Sequence, residues 1–408
     1  MTAAARSSGA AGPAPDRVGR IAVVRALPGV GDLLCTLPAL RALQAGHPGA
    51  RVTLVGLPTA AWFVARYPDL VDDLLVVDGV PGLPEVEADP GAALRFYAAA
   101  HARRFDLAVQ LHGDGRASNP LTTMLGARHQ VTAHVPGTWE PPGTTIPYTA
   151  EGPEIHRLLA VTAAAGCPPV GDNVDLPLDP VEVTAARALT AHTAARGNGA
   201  ARGNGAPGGT AGYVCLHPGA SRAENRWPAA GFAAVGDRLA AAGHRVVLTG
   251  TIGERPVVTA VARAMVAPVV DLCGCTSVGT LAAVFAGARL VVSNDTGAAH
   301  VAAAVRAPSV VVFPAHGDPD RWAPLDRDRH LVVGPVPGAS RAPNDPWPAT
   351  GAVVAAAVDH VGEPVLAPRA PQPTGRRPAA AAGGRAARPA TGLPATRPIA
   401  RPVAAPED

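Results

Sequence analysis

The chain has 408 residues, 48% of them hydrophobic, and a formal net charge of +3, enough for two domains of ordinary size. All 35 of its basic residues are arginine. That excludes the lysine of a GxxxxGK[ST] phosphate loop, a kinase strand lysine and any Schiff-base lysine. No apolar run approaches the ~20 residues that cross a bilayer, and Met1–Arg20 lacks the apolar centre of a secretory signal. The five scattered cysteines fit a reducing compartment, so a cytoplasmic location is expected. Seven arginines face two acids between Val365 and Asp408, which leaves the rest of the chain close to neutral. No basic, aromatic-interleaved cluster suggests nucleic acid as a partner.

Residues 1–18 are small and polar and are expected to be disordered. From there short apolar strands alternate with helices through residues 19–190. Strand Ile21–Arg25 leads through a glycine-rich turn into helix Leu33–Ala45, and Val52–Gly56, Leu74–Val77 and Leu107–Leu111 are further strands. The Gly/Asn-rich repeat within 191–211 has linker composition and would serve as a hinge. A second series fills 212–362, with strand Tyr213–His217, helix Ala229–Ala242, strand Arg245–Thr249, helix Glu254–Ala264, strand Val269–Leu272 and helix Ser277–Ala286. It ends in the unit LVVSNDTGAAHVAAAVRAPSVVVF, Leu290–Phe313. Alternation of this kind predicts two α/β halves, each a parallel sheet covered by helices on both faces. Residues 363–408 form a Pro/Ala/Arg-rich tail expected to be disordered and solvated, with arginines that also suit peripheral contact at a membrane surface.

Four strand ends carry candidate chemistry. Gly29-Val30-Gly31-Asp32 opens the first helix, but Leu34 stands where a dinucleotide fingerprint needs its third glycine. Asp32 is either a helix cap or a general base facing the cleft. His217-Pro218-Gly219-Ala220-Ser221-Arg222 ends a strand, and Arg222 and Arg226 precede Trp227-Pro228. Guanidinium groups pair with phosphate in a bidentate fork, although both could equally be surface charges. Thr249-Gly250-Thr251-Ile252-Gly253-Glu254 ends another strand, with Glu254 either a first-turn dipole partner or a ribose ligand. In Ser293-Asn294-Asp295-Thr296-Gly297, with His300 one turn on, a carboxylate, a hydroxyl and an imidazole converge on a helix mouth that offers free N–H groups to an anion. Capping would account for Asp295 alone. His112-Gly113-Asp114 lies at a strand end of the first half. Asp318-Pro319-Asp320 and Asp326-Arg327-Asp328 have a D-x-D form but sit in a Pro/Arg-rich loop after the last strand, and the Cys273/Cys275 pair offers too few ligands for zinc, so no metal site is expected.

Three blocks together resemble glycosyltransferase family 9, the lipopolysaccharide heptosyltransferase family: RIAVVRALPGVGDLLCTLPALRAL (Arg20–Leu43), CLHPGASRAENRWP (Cys215–Pro228) and LVVSNDTGAAHVAAA (Leu290–Ala304). The resemblance spans Arg20 to Val361. It implies a two-domain GT-B fold and inverting sugar transfer without an essential metal or other cofactor. The donor, a nucleotide-diphosphate sugar, would bind mainly in the second half. The acceptor, a glycan, a lipid-linked sugar or a small molecule, would bind mainly in the first. By position Asp32 matches the family's proposed base, Ser221 and Arg222 its phosphate turn, and Glu254 its acid near the nucleoside. Asp295, Thr296, Gly297 and His300 match its donor block. Arg226, Thr249 and Gly250 lie beside these, and Gly31, His112 and Asp114 face the acceptor side. Asn225 stands where the family often has lysine. A silent nucleotide-sugar-binding protein and a nucleotide-sugar 2-epimerase are the alternatives.

Overall fold

A computed structural model describes residues 18–192, 212–335 and 346–361. The expectations for residues 1–17, for most of the linker and for the tail therefore lie outside the described residues.

The first sheet comprises β1 (Arg20–Val24), β2 (Arg51–Gly56), β3 (Asp73–Val76), β4 (Leu107–Gln110), β5 (His129–His134) and β6 (Thr144–Pro147). All its pairings are parallel, in the order β3-β2-β1-β4-β5-β6. Its helices are α1 (Val30–Leu34), α2 (Leu37–Gly46), α3 (Ala61–Arg66), α4 (Pro90–Arg103), α5 (Ser118–Met124) and α6 (Glu154–Ala164). After α7 (Pro180–His192), the second sheet is built from β7 (Tyr213–His217), β8 (Arg245–Leu248), β9 (Val269–Asp271), β10 (Leu290–Asn294), β11 (Ser309–Val312) and β12 (His330–Val333). These are again all parallel, ordered β9-β8-β7-β10-β11-β12. Around it lie α8 (Ala229–Ala241), α9 (Arg255–Ala264), α10 (Val278–Ala286), α11 (Gly297–Ala304), α12 (Pro319–Trp322) and α13 (Thr350–Val361).

Both sheets thus repeat one doubly wound topology. Its order reverses between β1 and β4, and again between β7 and β10. At such a reversal the loops leaving the two neighbouring strands diverge to opposite faces, which opens a crevice at the carboxyl ends. The strands read as continuous apolar runs because both faces are covered: Ile21 to Val24 and Leu290 to Val292 have no solvent exposure.

The local elements follow the sequence with two differences that matter. The helix expected over Leu33–Ala45 is broken, because Pro38 has no N–H to offer the Leu34 carbonyl. The chain restarts as α2 with Pro38 in its first turn, and the Thr36 hydroxyl donates to the Asp32 carbonyl at 2.9 Å. In addition α7, placed by sequence with the first half, packs along α10 of the second. Its Glu182 lies against Gly279 of α10 and also pairs with Arg66 of α3.

The halves meet most closely where α1 packs on α11. A Cβ on Gly31 would overlap the His300 ring, and one on Gly297 would lie 3.4 Å from the Gly31 nitrogen and from the Val30 Cβ. At Gly31 only glycine allows this approach, whereas a methyl group at position 297 would make ordinary van der Waals contacts. The Leu176 N–H, in the segment leading to α7, donates to the carbonyl of Ala304 at the end of α11, a second tie across the seam. The Gly31→Ala substitution is therefore expected to cost about 1–3 kcal/mol through overpacking against a buried ring. Denaturant unfolding measures this, and a midpoint equal to wild type would mean that the helices part without penalty.

Candidate functional site

The three phosphate-compatible turns of the second half leave β10, β7 and β8, which are consecutive neighbours in the sheet. Two of them flank the strand-order reversal. Asn294 ties these two together. Its side-chain oxygen accepts from the Trp227 N–H at 2.9 Å, and its amide donates to the carbonyls of Pro218 and Gly219 at 2.9 and 3.2 Å. Trp227 is buried edge-on against Phe232, so the turn carrying Ser221 and Arg222 is anchored in the core at one end and on β10 at the other. Asn294 was visible in the sequence only as part of a polar turn; its bonds depend on β7 and β10 being neighbours.

Ser221 and Arg222 are exposed. Arg226 is half-buried and donates through Nε to the Ala220 carbonyl at 2.9 Å, which leaves the end of its guanidinium for other partners. Asn225 Oδ1 accepts from His316 Nε2 at 2.9 Å, joining this turn to the loop after β11. Glu254 makes the capping contacts that one of its two readings expects, since its carboxylate accepts from the Thr251 N–H at 2.7 Å and the Thr251 hydroxyl at 2.9 Å. The same carboxylate lies against Gly219, where any Cβ would overlap it. The Thr249 side chain is fully buried and bonded to His217 Nδ1 at 3.0 Å, so it orients His217 rather than facing the crevice. Burial lowers the His217 pKa, and the imidazole is neutral. The backbone of Gly250 holds the next turn, its carbonyl accepting from the Gly274 N–H at 2.8 Å.

At the mouth of α11 the cap is Thr296, whose hydroxyl accepts from the Ala298 N–H at 3.3 Å; Asp295 stands one residue outside. Burial, with a smaller push from Asp318, raises the Asp295 carboxyl to about 7. His300 is buried and its pKa falls to about 4 for the same reason, while burial lifts the Cys35 thiol to about 12. Cys35 Sγ lies 3.6 Å from His300 Nδ1. A protonated thiol donates there, which puts the imidazole hydrogen on Nε2.

In the first half Asp32 occupies the first turn of α1, whose N-cap is Gly29; capping is thus not its role. One carboxylate oxygen pairs with an NH2 nitrogen of Arg25 at 3.2 Å. Burial raises the Asp32 pKa, the Arg25 charge opposes it, Glu154 adds to the rise and Arg321 opposes it. Arg25 has no solvent exposure and also donates to Glu154 at 3.0 Å and to the Leu111 carbonyl at 2.5 Å. Sequence patterning gave no signal for Arg25, Glu154 or Arg321, which come together only through folding. His112 is buried, with Nδ1 accepting from the Ala26 N–H at 3.1 Å, so it braces the loop that leads to Asp32. Burial, then the Arg25 charge, lowers its pKa to about 4. Asp114 accepts from Arg116 at 2.6 Å on a turn near the first half's own strand-order reversal.

The structure therefore brings Val30 and Gly31 of the first half against Gly297 and His300 of the second, with Asp32 the next residue of α1 and Asp295 and Thr296 just before Gly297. The β7 and β8 turns line the same sheet edge. Asp318 and Asp326 cap local turns, accepting from the N–H groups of Arg321 and Arg329. Among the described residues no group of three His, Cys, Asp or Glu side chains could hold a metal ion, and no helix is long and apolar enough to cross a membrane.

The raised Asp295 pKa has a pH signature. Between about pH 4 and 7 the folded carboxyl holds its proton while the unfolded one does not, so stability falls as pH rises through that window. Asp295→Asn should flatten this slope and leave a variant more stable than wild type above pH ~7. Urea unfolding across the range tests it; parallel curves for the two proteins would contradict the burial argument.

Residues 142–342 match the model of glycosyltransferase family 9 (heptosyltransferase). That segment contains the β7, β8 and β10 turns but not Asp32. No curated protein matches the sequence. Solved structures share the fold. A family 9 glycosyl transferase from Veillonella parvula is 19% identical at a TM-score of 0.68, over 84% of this chain and 97% of that one. The ADP-heptose lipopolysaccharide heptosyltransferase II of E. coli is 18% identical at 0.62, over 84% and 98%. The E. coli heptosyltransferase WaaC, solved with ADP, is 21% identical at 0.56, over 84% and 99%. Both sheets of a GT-B fold are thus present, and the segment from β6 to β12 is similar to glycosyltransferase family 9.

Proposed function

We propose that this chain is a glycosyltransferase that moves a heptose or related sugar from a nucleotide-diphosphate donor to an acceptor hydroxyl with inversion. The observation that carries this reading is the seam itself. Asp32, with its pKa raised, sits in the first turn of the helix that packs on the mouth of α11. Asp32 accepts the proton of an acceptor hydroxyl as that oxygen attacks the anomeric carbon, and the nucleotide diphosphate leaves from the opposite face. A buried carboxylate with a raised pKa is the stronger base for this step.

The leaving diphosphate gains negative charge. Arg222, Arg226, Ser221 and the N–H groups at Thr296–Gly297 are placed to stabilise it, each helix-end contact contributing ~0.3–1 kcal/mol and more when buried. In a chain without lysine these groups carry the role that a lysine or a divalent metal fills elsewhere, and we assign the reaction no resident cofactor. In this reading the Glu254 carboxylate, held by Thr251, accepts from the ribose hydroxyls with its remaining acceptor capacity. Support for an adenine nucleotide comes from relatives of the same fold, WaaC having been solved with ADP and with ADP-2-deoxy-2-fluoro heptose. The acceptor lies on the side of the β1 and β4 loops, and is a glycan, a lipid-linked sugar or a small molecule.

Thermal stabilisation by a panel of nucleotide diphosphates and nucleotide sugars identifies the donor, since a ligand that binds the native state raises the melting temperature. With that donor, Asp32→Asn should lose transfer by at least 10²-fold while keeping donor stabilisation within a few-fold. Normal turnover of the variant would remove Asp32 from the base role. Donor binding without transfer by the wild-type protein would favour a silent binding protein, and conversion of donor without acceptor an epimerase.

A further inference from the structure

Glu154, the first residue of α6, is 3% exposed and touches three arginines. Its Oε1 accepts from Arg25 at 3.0 Å; its Oε2 accepts from Arg157 at 3.0 Å and from Arg321 at 3.0 and 3.1 Å. Arg25 lies between two carboxylates, Glu154 on one side and Asp32 on the other. Arg321 belongs to α12, in the donor half, and its backbone N–H is held by the α12 cap Asp318. An arrangement so buried is costly to build, and the fold already has hydrophobic ways to join α6 to β1. Bond by bond, it runs from the donor half through Glu154 and Arg25 to the one carboxylate assigned to the base.

We propose that Glu154 is a positioning residue for Asp32, dividing the Arg25 charge between two carboxylates and linking Asp32 to the donor half through Arg321. This rests on the base reading above. If Arg25 paired with Asp32 alone, it would hold that carboxylate as a tight ion pair and a poor base. Glu154 draws part of the guanidinium to itself and fixes the plane in which the rest faces Asp32. Arg321 then sets how much of Glu154 remains for Arg25. A shift of Arg321 toward a diphosphate in the donor half would free Glu154 for Arg25 and leave Asp32 the stronger base. The charged or titratable groups facing Asp32 are Arg25 from the end of β1, Glu154 from α6 and Arg321 from α12. Cys35, the C-cap of α1, is a neutral neighbour.

The test measures the Asp32 carboxyl directly, by ¹³C NMR titration of carboxyl-labelled aspartate in the full chain. The resonance is assigned by its absence in Asp32→Asn. Glu154→Gln keeps the shape and one hydrogen bond but removes the charge, and should lower the Asp32 midpoint by roughly half a pH unit or more. Arg321→Gln should raise it by a similar amount, the opposite sign. A merely structural role would move both variants the same way, or neither, and either result overturns the proposal. Should Glu154→Gln fail to fold, the Arg321→Gln midpoint decides alone, and a downward or absent shift overturns it. Transfer activity of Asp32→Asn is scored separately. Normal turnover there sinks the base reading and leaves the titrations standing as electrostatics, whereas unshifted midpoints with an inactive Asp32→Asn sink only the role of Glu154.

Discussion

The close approach of α1 to α11 is the constraint from which the rest of the site follows. Two helix beginnings, one from each half, are brought within van der Waals contact because Gly31 has no side chain to meet the His300 ring. Each beginning exposes unpaired N–H groups and partial positive charge. Carboxylates stand beside both, Asp32 in the first turn of α1 and Asp295 just before the Thr296 cap. Any larger residue at Gly31 would push His300 aside and separate the candidate base from the anion-compatible turns. The bare backbone at Gly31 thereby sets how closely α1 and α11 approach.

The repeated sheet order explains why the sequence motifs fall where they do. In each half the chain enters at a central strand, builds outward to one side, and returns to build the other. The turns after β1 and β4, and after β7 and β10, therefore border the crevice in their own sheets. The β8 turn joins because β8 pairs directly with β7. Asn294 locks two of these turns into one rigid edge, and Thr249 does the same for His217 from beneath.

Much of this was legible in the residues. The strand–turn–helix periodicity placed most strands to within one residue, and the glycines, Asp32, Ser221, Arg222 and the Asp295–His300 block stood out as polar interruptions of apolar runs. The break at Pro38 was also in principle readable, since proline cannot continue the ladder from Leu34. The partnership of α7 with α10 was not, because a moderately amphipathic helix near a linker does not reveal which core it covers. Nor was the set Arg25, Glu154 and Arg321. Their positions lie 129 and 167 residues apart along the chain, and each alone resembles an ordinary surface charge. His112 also has a role its strand-end position did not announce. Its Nδ1 accepts from the Ala26 amide and so braces the loop leading to Asp32.

The thiols hold a practical consequence. Cys35, Cys167, Cys215 and Cys273 are buried, and Cys275 alone reaches solvent. Burial keeps the shielded sulfurs protonated and slow to react, so a maleimide reagent will select one atom on the native molecule. That atom belongs to the bend after β9, next to Gly274, which lies in contact with Ile252 of the β8 turn. The wild-type chain thus comes with a single anchoring point for a dye or spin label beside the β8 turn, and no engineered cysteine is needed to install a reporter there.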